Sequence, residues 1–223
     1  MDAMLEMRFA PEQIPLLTPA EGIDEDSDRI VVRRTILSVA RRRFARFSYE
    51  GTALSAIARG SGINTAELMR HFPDKTAILL AVLDEGWASI NPRLTDIVVT
   101  SVNAREAMLS MLGVMMRVLE REEDLARLLL FEARHAHPET GVILLSRGHR
   151  RFVELVTEVA LRGQRDGSFK AGHPPKVLAS LMVGAVENLM RDQLVARQDQ
   201  EKDSYSSAGV FKAFEAMISN LRP

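Results

Sequence analysis

Apolar positions recur at three- and four-residue spacing along almost the whole chain, and no run alternates cleanly at period two, so the pattern predicts an all-α protein of about nine helices. The first helix is expected from about Asp28 to Phe47, with Ile36, Val39, Ala40, Phe44 and Phe47 on one stripe and Arg34, Arg41 and Arg42 away from it. Thr52 reads as the N-cap of a short second helix that turns Leu54, Ile57 and Ala58 inward before Gly60 and Gly62 break it. The run Asn64-Thr65-Ala66-Glu67 has the form of a capping box opening a third, very short helix that ends near His71. Pro73 stops that helix and Asp74 caps the next.

A fourth helix is predicted over about Lys75 to Ile90, ended by Asn91-Pro92. The fifth starts at Asn103, with a box-like Glu106, and carries Met108, Met111, Leu112, Met115, Val118 and Leu119 on one face. Leu125, Leu128 and Leu129 mark a sixth, ending before Pro138, and a seventh runs from there to about Gly163 with Val142, Leu145, Phe152, Val156, Val159 and Ala160 inward. Gly163, Gly167, Gly172 and Pro174-Pro175 punctuate the chain before an eighth helix, Lys176 to Arg197, and a ninth, about Ser206 to Leu221.

Charge changes this picture more than bulk composition does. The 223 residues balance 29 Lys and Arg against 30 Asp and Glu, yet residues 1–28 hold eight acids and one Arg while residues 29–75 hold ten basic residues and three acids. A near-neutral total therefore hides a basic block of domain size beside an acidic, proline-rich leader. Such a block is the footprint of a surface that meets phosphate, or equally a solvated arginine-rich helix. The expected organisation is an acidic, disordered tail over 1–27, a small basic domain over 28–74, and a larger helical domain over 75–223.

With no cysteine, the chain offers neither a disulfide framework nor a thiolate metal site. The first 20 residues lack the basic start and apolar core of a signal peptide, and Val177 to Val186 is about half the length a membrane span needs, so a cytoplasmic protein without a membrane partner is expected. No Gly-rich phosphate loop or nucleophile motif stands out, and His135, His137, His149 and His173 lack convincing metal spacing. The chain is therefore read as a non-enzyme with no cofactor and no metal.

Two short helices joined by a glycine turn and preceded by a longer basic helix form a helix-turn-helix unit, whose third helix can enter a major groove. An ordinary helical hairpin would show the same pattern. Its residues go further: Ile36-Leu37, Ala40, Phe44-Ala45, Tyr49, Thr52, Ile57-Ala58, Gly62-Ile63, Leu68, His71-Phe72-Pro73 and Lys75 resemble, with spacing intact, the DNA-binding domain of the TetR/AcrR family of bacterial transcriptional regulators. Glu132-Ala133-Arg134 before Pro138, the Gly163 to Gly167 break and the long eighth helix are similar, more loosely, to that family's ligand-binding domain.

The resemblance implies a homodimer that binds a palindromic double-stranded DNA operator, as a repressor, and is released by a small-molecule effector acting through helix four and its neighbours. Carried over by position, Thr52 and Lys75 meet phosphates, Thr65, Ala66 and Arg70 lie on the recognition helix, and His71 touches the backbone. Glu67-Leu68-Met69 departs from the family pattern, which has a small or hydroxyl residue followed by Leu-Tyr; Ser48 replaces a turn glycine and Ala56 an acid. Glu67 is read as closing the Asn64 box in preference to contacting a cytosine. The rival reading is a helical small-molecule binder that has lost tight DNA binding, consistent with Glu67 and Met69.

Candidate pocket residues are Trp87, Met115, Phe131, Glu132, His149, Phe152, Met182 and Glu187, suited to a largely apolar ligand with one or two polar handles. Each has a plainer reading: Glu132 paired with Arg134, His149 as a satisfied core histidine, the methionines as core filler. The resemblance places dimerisation on helices eight and nine, through Val177, Leu181, Gly184 and Ala185 and through Val210, Phe214, Met217 and Ile218.

Overall fold

The computed structural model describes residues 25–132, 145–198 and 206–220. Among these the elements are α1 (Glu25–Phe47), α2 (Leu54–Gly60), α3 (Thr65–His71), α4 (Lys75–Thr100), α5 (Ala104–Arg121), α6 (Glu123–Arg127) continuing into a π-helical turn (Leu128–Glu132), α7 (Arg147–Asp166), α8 (Pro175–Gln198) and α9 (Ser207–Ser219). The all-α expectation holds. Residues 1–24 of the predicted tail, Val142, the Glu132-Arg134 pairing, His135, His137 and Leu221 lie outside what is described, whereas Glu25 to Ser27, expected in the tail, open α1.

The first three helices close over Ile36, Ala40, Phe44, Ile57 and Leu68, all essentially removed from water. Gly62, at φ 75, makes the turn between α2 and α3 in the left-handed region that glycine tolerates. Phe47 leaves the α1 stripe: at the last residue of the helix it is 48% exposed on an outer groove, with the Arg46 guanidinium over its ring.

Helix α4 does not stop at Asn91-Pro92 but continues to Thr100. Proline removes one backbone donor, yet Ile90 and Leu94 on either side are fully buried, and that packing holds the helix through the gap. Its far end is clamped by Arg162 of α7, whose guanidinium donates to the Val98, Ser101 and Val102 carbonyls at 3.0, 2.6 and 2.9 Å. The α4 helix therefore runs unbroken from the basic head into the bundle, where it lies against α5 and α7.

The seventh helix starts at Arg147, capped by Ser146, and runs past Gly163 to Asp166, with Gly167 ending it at φ 78. Asn103 caps α5 by accepting from the Glu106 amide, while the Glu106 carboxylate accepts from Val102, which is the box read from sequence displaced by one residue on its return arm.

Candidate nucleic-acid interface and effector pocket

Helix α3 is fixed from behind and open in front. Leu68 is buried beneath it, and Arg33 of α1 lies 4.1 Å from the centre of the Phe72 ring while donating to the His71 carbonyl at 3.2 Å. Asn64 caps the helix by accepting from the Glu67 amide at 2.8 Å. The solvent side presents Ala66, Met69 and Arg70, with Thr65, Glu67 and His71 half-buried at its edges. A cationic fork and an apolar thioether on one exposed face suit a groove in which phosphate, guanine edges and thymine methyls are available. Sequence reasoning noted Met69 as a departure and left it out of the site; its exposure puts it on the face.

Two expected phosphate contacts turn inward. The Thr52 hydroxyl is buried and donates to the Ser48 carbonyl at 2.8 Å and, more weakly, to Arg43 at 3.3 Å, and Ala53, not Thr52, holds the N-cap position of α2. The Lys75 ammonium donates to the carbonyls of Tyr49 and Thr52 at 2.8 and 3.1 Å. Both side chains donate to backbone carbonyls around the turn from α1 to α2, and those bonds hold them inward. The first turn of α4 is also occupied: Asp74 accepts from the Ala77 amide at 2.7 Å, so a carboxylate already sits on those donors. Positive charge facing solvent resides instead in Arg29, Arg34, Arg42, Arg46, Arg59 and Arg70.

In the bundle, Trp87 stacks on Phe152 at 4.9 Å between ring centres and 20° between planes, with the His149 ring edge-on to Trp87 at 5.7 Å. Phe152 also walls a small apolar void of about 20 Å³, lined further by Met108, Met111, Met115, Met182 and Phe214. Of the predicted pocket set, the structure thus gathers Trp87, Met115, His149, Phe152 and Met182. Phe131 does not join them: it is 47% exposed, on an outer groove with Phe47 and Val195, under the Arg191 guanidinium. The π-helical turn rotates it outward relative to a regular helix. Glu187 is half-buried on α8 away from the lining of the void, and the Glu132 side chain lies outside the described residues. Sequence reasoning missed Asn91, which reaches the Gly148 carbonyl at 2.9 Å; the Asn91-Pro92 pair looked like a helix end, which hid it.

The expected dimer faces divide. On α8, Val177, Leu181 and Gly184 are exposed and Ala185 half-buried, an apolar strip open to solvent. On α9 the prediction took the wrong face: Val210, Phe214 and Ile218 are buried within the subunit against α5, with Met217 half-buried at the rim. Apolar periodicity marks a face as buried without saying in which subunit.

Residues 36–82 match the family described as bacterial regulatory proteins, tetR family. The HTH-type transcriptional repressor KstR2 of Rhodococcus jostii is 23% identical over 155 residues, covering 70% of this chain and 76% of that protein. The HTH-type transcriptional regulator RutR of Escherichia coli is 39% identical over 51 residues, about a quarter of each chain. Among solved structures, the transcriptional regulator FadR from Bacillus subtilis in complex with stearoyl-CoA superposes with a TM-score of 0.71 at 15% identity, covering 83% of this chain and 97% of that one.

Proposed function

We propose that the protein is a homodimeric repressor of the tetR family of bacterial regulatory proteins, whose model its residues 36–82 match, and that it binds a palindromic operator and is released by a small, largely apolar effector. The observation that carries the reading is the exposed Ala66, Met69 and Arg70 face of α3, held at a set angle by Arg33 and coupled to the bundle through the unbroken α4. Two such faces related by a two-fold axis through the exposed α8 strip would read two half-sites.

Release follows from the same connectivity. An effector that enlarges the space between α5, α7 and α8 moves α4, which packs on both α1 and α7, and so shifts each reading head relative to its partner.

Selection of genomic fragments by the purified protein, followed by anisotropy titration of the best duplex at several salt concentrations, tests the reading. Palindromic enrichment, binding of about nanomolar strength and a steep loss with salt are expected, with Arg70→Ala lowering the salt slope by about one. Feeble, sequence-blind binding at every salt concentration would favour the rival reading, a small-molecule binder without an operator, for which the Glu67 carboxylate beside the α3 face is the specific observation.

A further inference from the structure

Among the described residues, Trp87 Nε1, a donor, and Asn91 Oδ1, an acceptor, are buried at the crossing of α4 and α7 without a hydrogen-bond partner. Such orphans are rare in folded proteins because each forfeits its bond to water and gets nothing in return. The two residues stand four apart on α4, one turn along the same face. Both meet the first turn of α7. A methyl group on Gly148 would fall 2.2 Å from Trp87 Cβ, and Asn91 Nδ2 donates to the Gly148 carbonyl. That second bond also fixes the amide's orientation, since only its NH2 end can face a carbonyl, which leaves Oδ1 pointing elsewhere.

The orphans adjoin the apolar void through one ring. Phe152 stacks on Trp87 and also walls the void, so swinging Phe152 aside joins them. At about 20 Å³ the void holds no more than a water, but Met108, Met111, Met115 and Met182 border it, and unbranched thioethers repack at small cost. The formal charges at this crossing, Asp84 and Arg147, face each other at 3.6 Å.

Resting on the effector reading above, we propose that Trp87 and Asn91 anchor the polar end of the effector. That end is a single uncharged group able both to accept and to donate a hydrogen bond, a hydroxyl or a primary amide, on an apolar body that repacks the methionines. It accepts from Trp87 Nε1 and donates to Asn91 Oδ1. A carboxylate has no proton to give Asn91 and is disfavoured.

Trp87 is the only tryptophan in the chain, so its fluorescence reports on this site alone. The full-length protein is titrated with 1-octanol, octanamide and sodium octanoate, following Trp87 emission and thermal stability. The alcohol and amide should bind about tenfold or more tighter than octanoate and shift the emission. In Asn91→Leu and in Trp87→Phe, the latter keeping a stacking ring and read by thermal shift and calorimetry, that preference should collapse to within about twofold. Equal or tighter octanoate binding, a preference that survives in both variants, or no response to any probe overturns the assignment. DNA anisotropy with the same probes separates the two readings: a site with the expected preference that leaves DNA bound upholds the anchor and sinks effector release, whereas operator binding with no probe response overturns the anchor and leaves the DNA-binding reading standing.

Discussion

The Lys75 ammonium sits 4.1 Å from the centre of the Tyr49 ring while donating to the Tyr49 carbonyl at 2.8 Å, so the first residue of α4 is locked to the turn that follows α1. The Tyr49 hydroxyl completes the lock with Thr76, 2.8 Å away. A cation held over a ring and by two carbonyls is well satisfied, and a phosphate would have to compete with all three contacts.

Lys75→Met should therefore act on stability, lowering it by about 1–2 kcal/mol through lost charge-assisted bonds. Its DNA salt slope should stay at the wild-type value, unlike that of Arg70→Ala. Urea unfolding and salt titrations of both variants make the comparison. A slope reduced by about one in Lys75→Met would return that lysine to the phosphate-contacting set.

Ser48 adopts φ 59, in the left-handed region that costs a residue with a Cβ about 1 kcal/mol. The serine oxygen gives little back, since its bond from the Gly51 amide is 3.4 Å long. Ser48→Gly should stabilise the head by roughly 0.5–1 kcal/mol, read as a higher thermal midpoint. A lower midpoint would mean that the side chain matters more than the backbone conformation.

Asp166 ties α7 to the start of α5. Partial burial raises its carboxyl, but bonds from Ser168, from the Ala104 amide at 2.9 Å and the nearby Arg162 outweigh this and hold it below the usual carboxylate range. A carboxylate lowered in the folded state contributes stability above its unfolded value, about 3.9, and loses that contribution as pH falls through the folded value. Asp166→Asn should thus cost about 1 kcal/mol at neutral pH, with the gap from wild type closing below about pH 4. Urea midpoints across that range check it, and a gap that widens on acidification would contradict the sign.

The two proposed dimer helices separate experimentally. Leu181 is 67% exposed and Phe214 is 1% exposed. Leu181→Asp should leave the subunit folded and shift sedimentation from dimer to monomer, since it spoils only an open apolar strip. Phe214→Ala should cost about 3–5 kcal/mol by leaving a cavity beside α5. An unchanged dimer in Leu181→Asp would place the interface elsewhere.

Local chemistry is what the sequence by itself determined. Asn64 and Asn103 cap the helices they were expected to cap, Gly62 makes the helix-turn-helix bend, and the Ile36 to Phe44 stripe is buried, because capping, positive φ and apolar periodicity act over a few residues. Only tertiary structure decided the rest. Packing of Ile90 and Leu94 carried α4 through Pro92, and bonds to backbone carbonyls around the α1–α2 turn hold Thr52 and Lys75 inward. The choice of subunit for the α9 face and the small size of the methionine-lined void likewise depend on what stands opposite each side chain in space, which no spacing along the chain encodes.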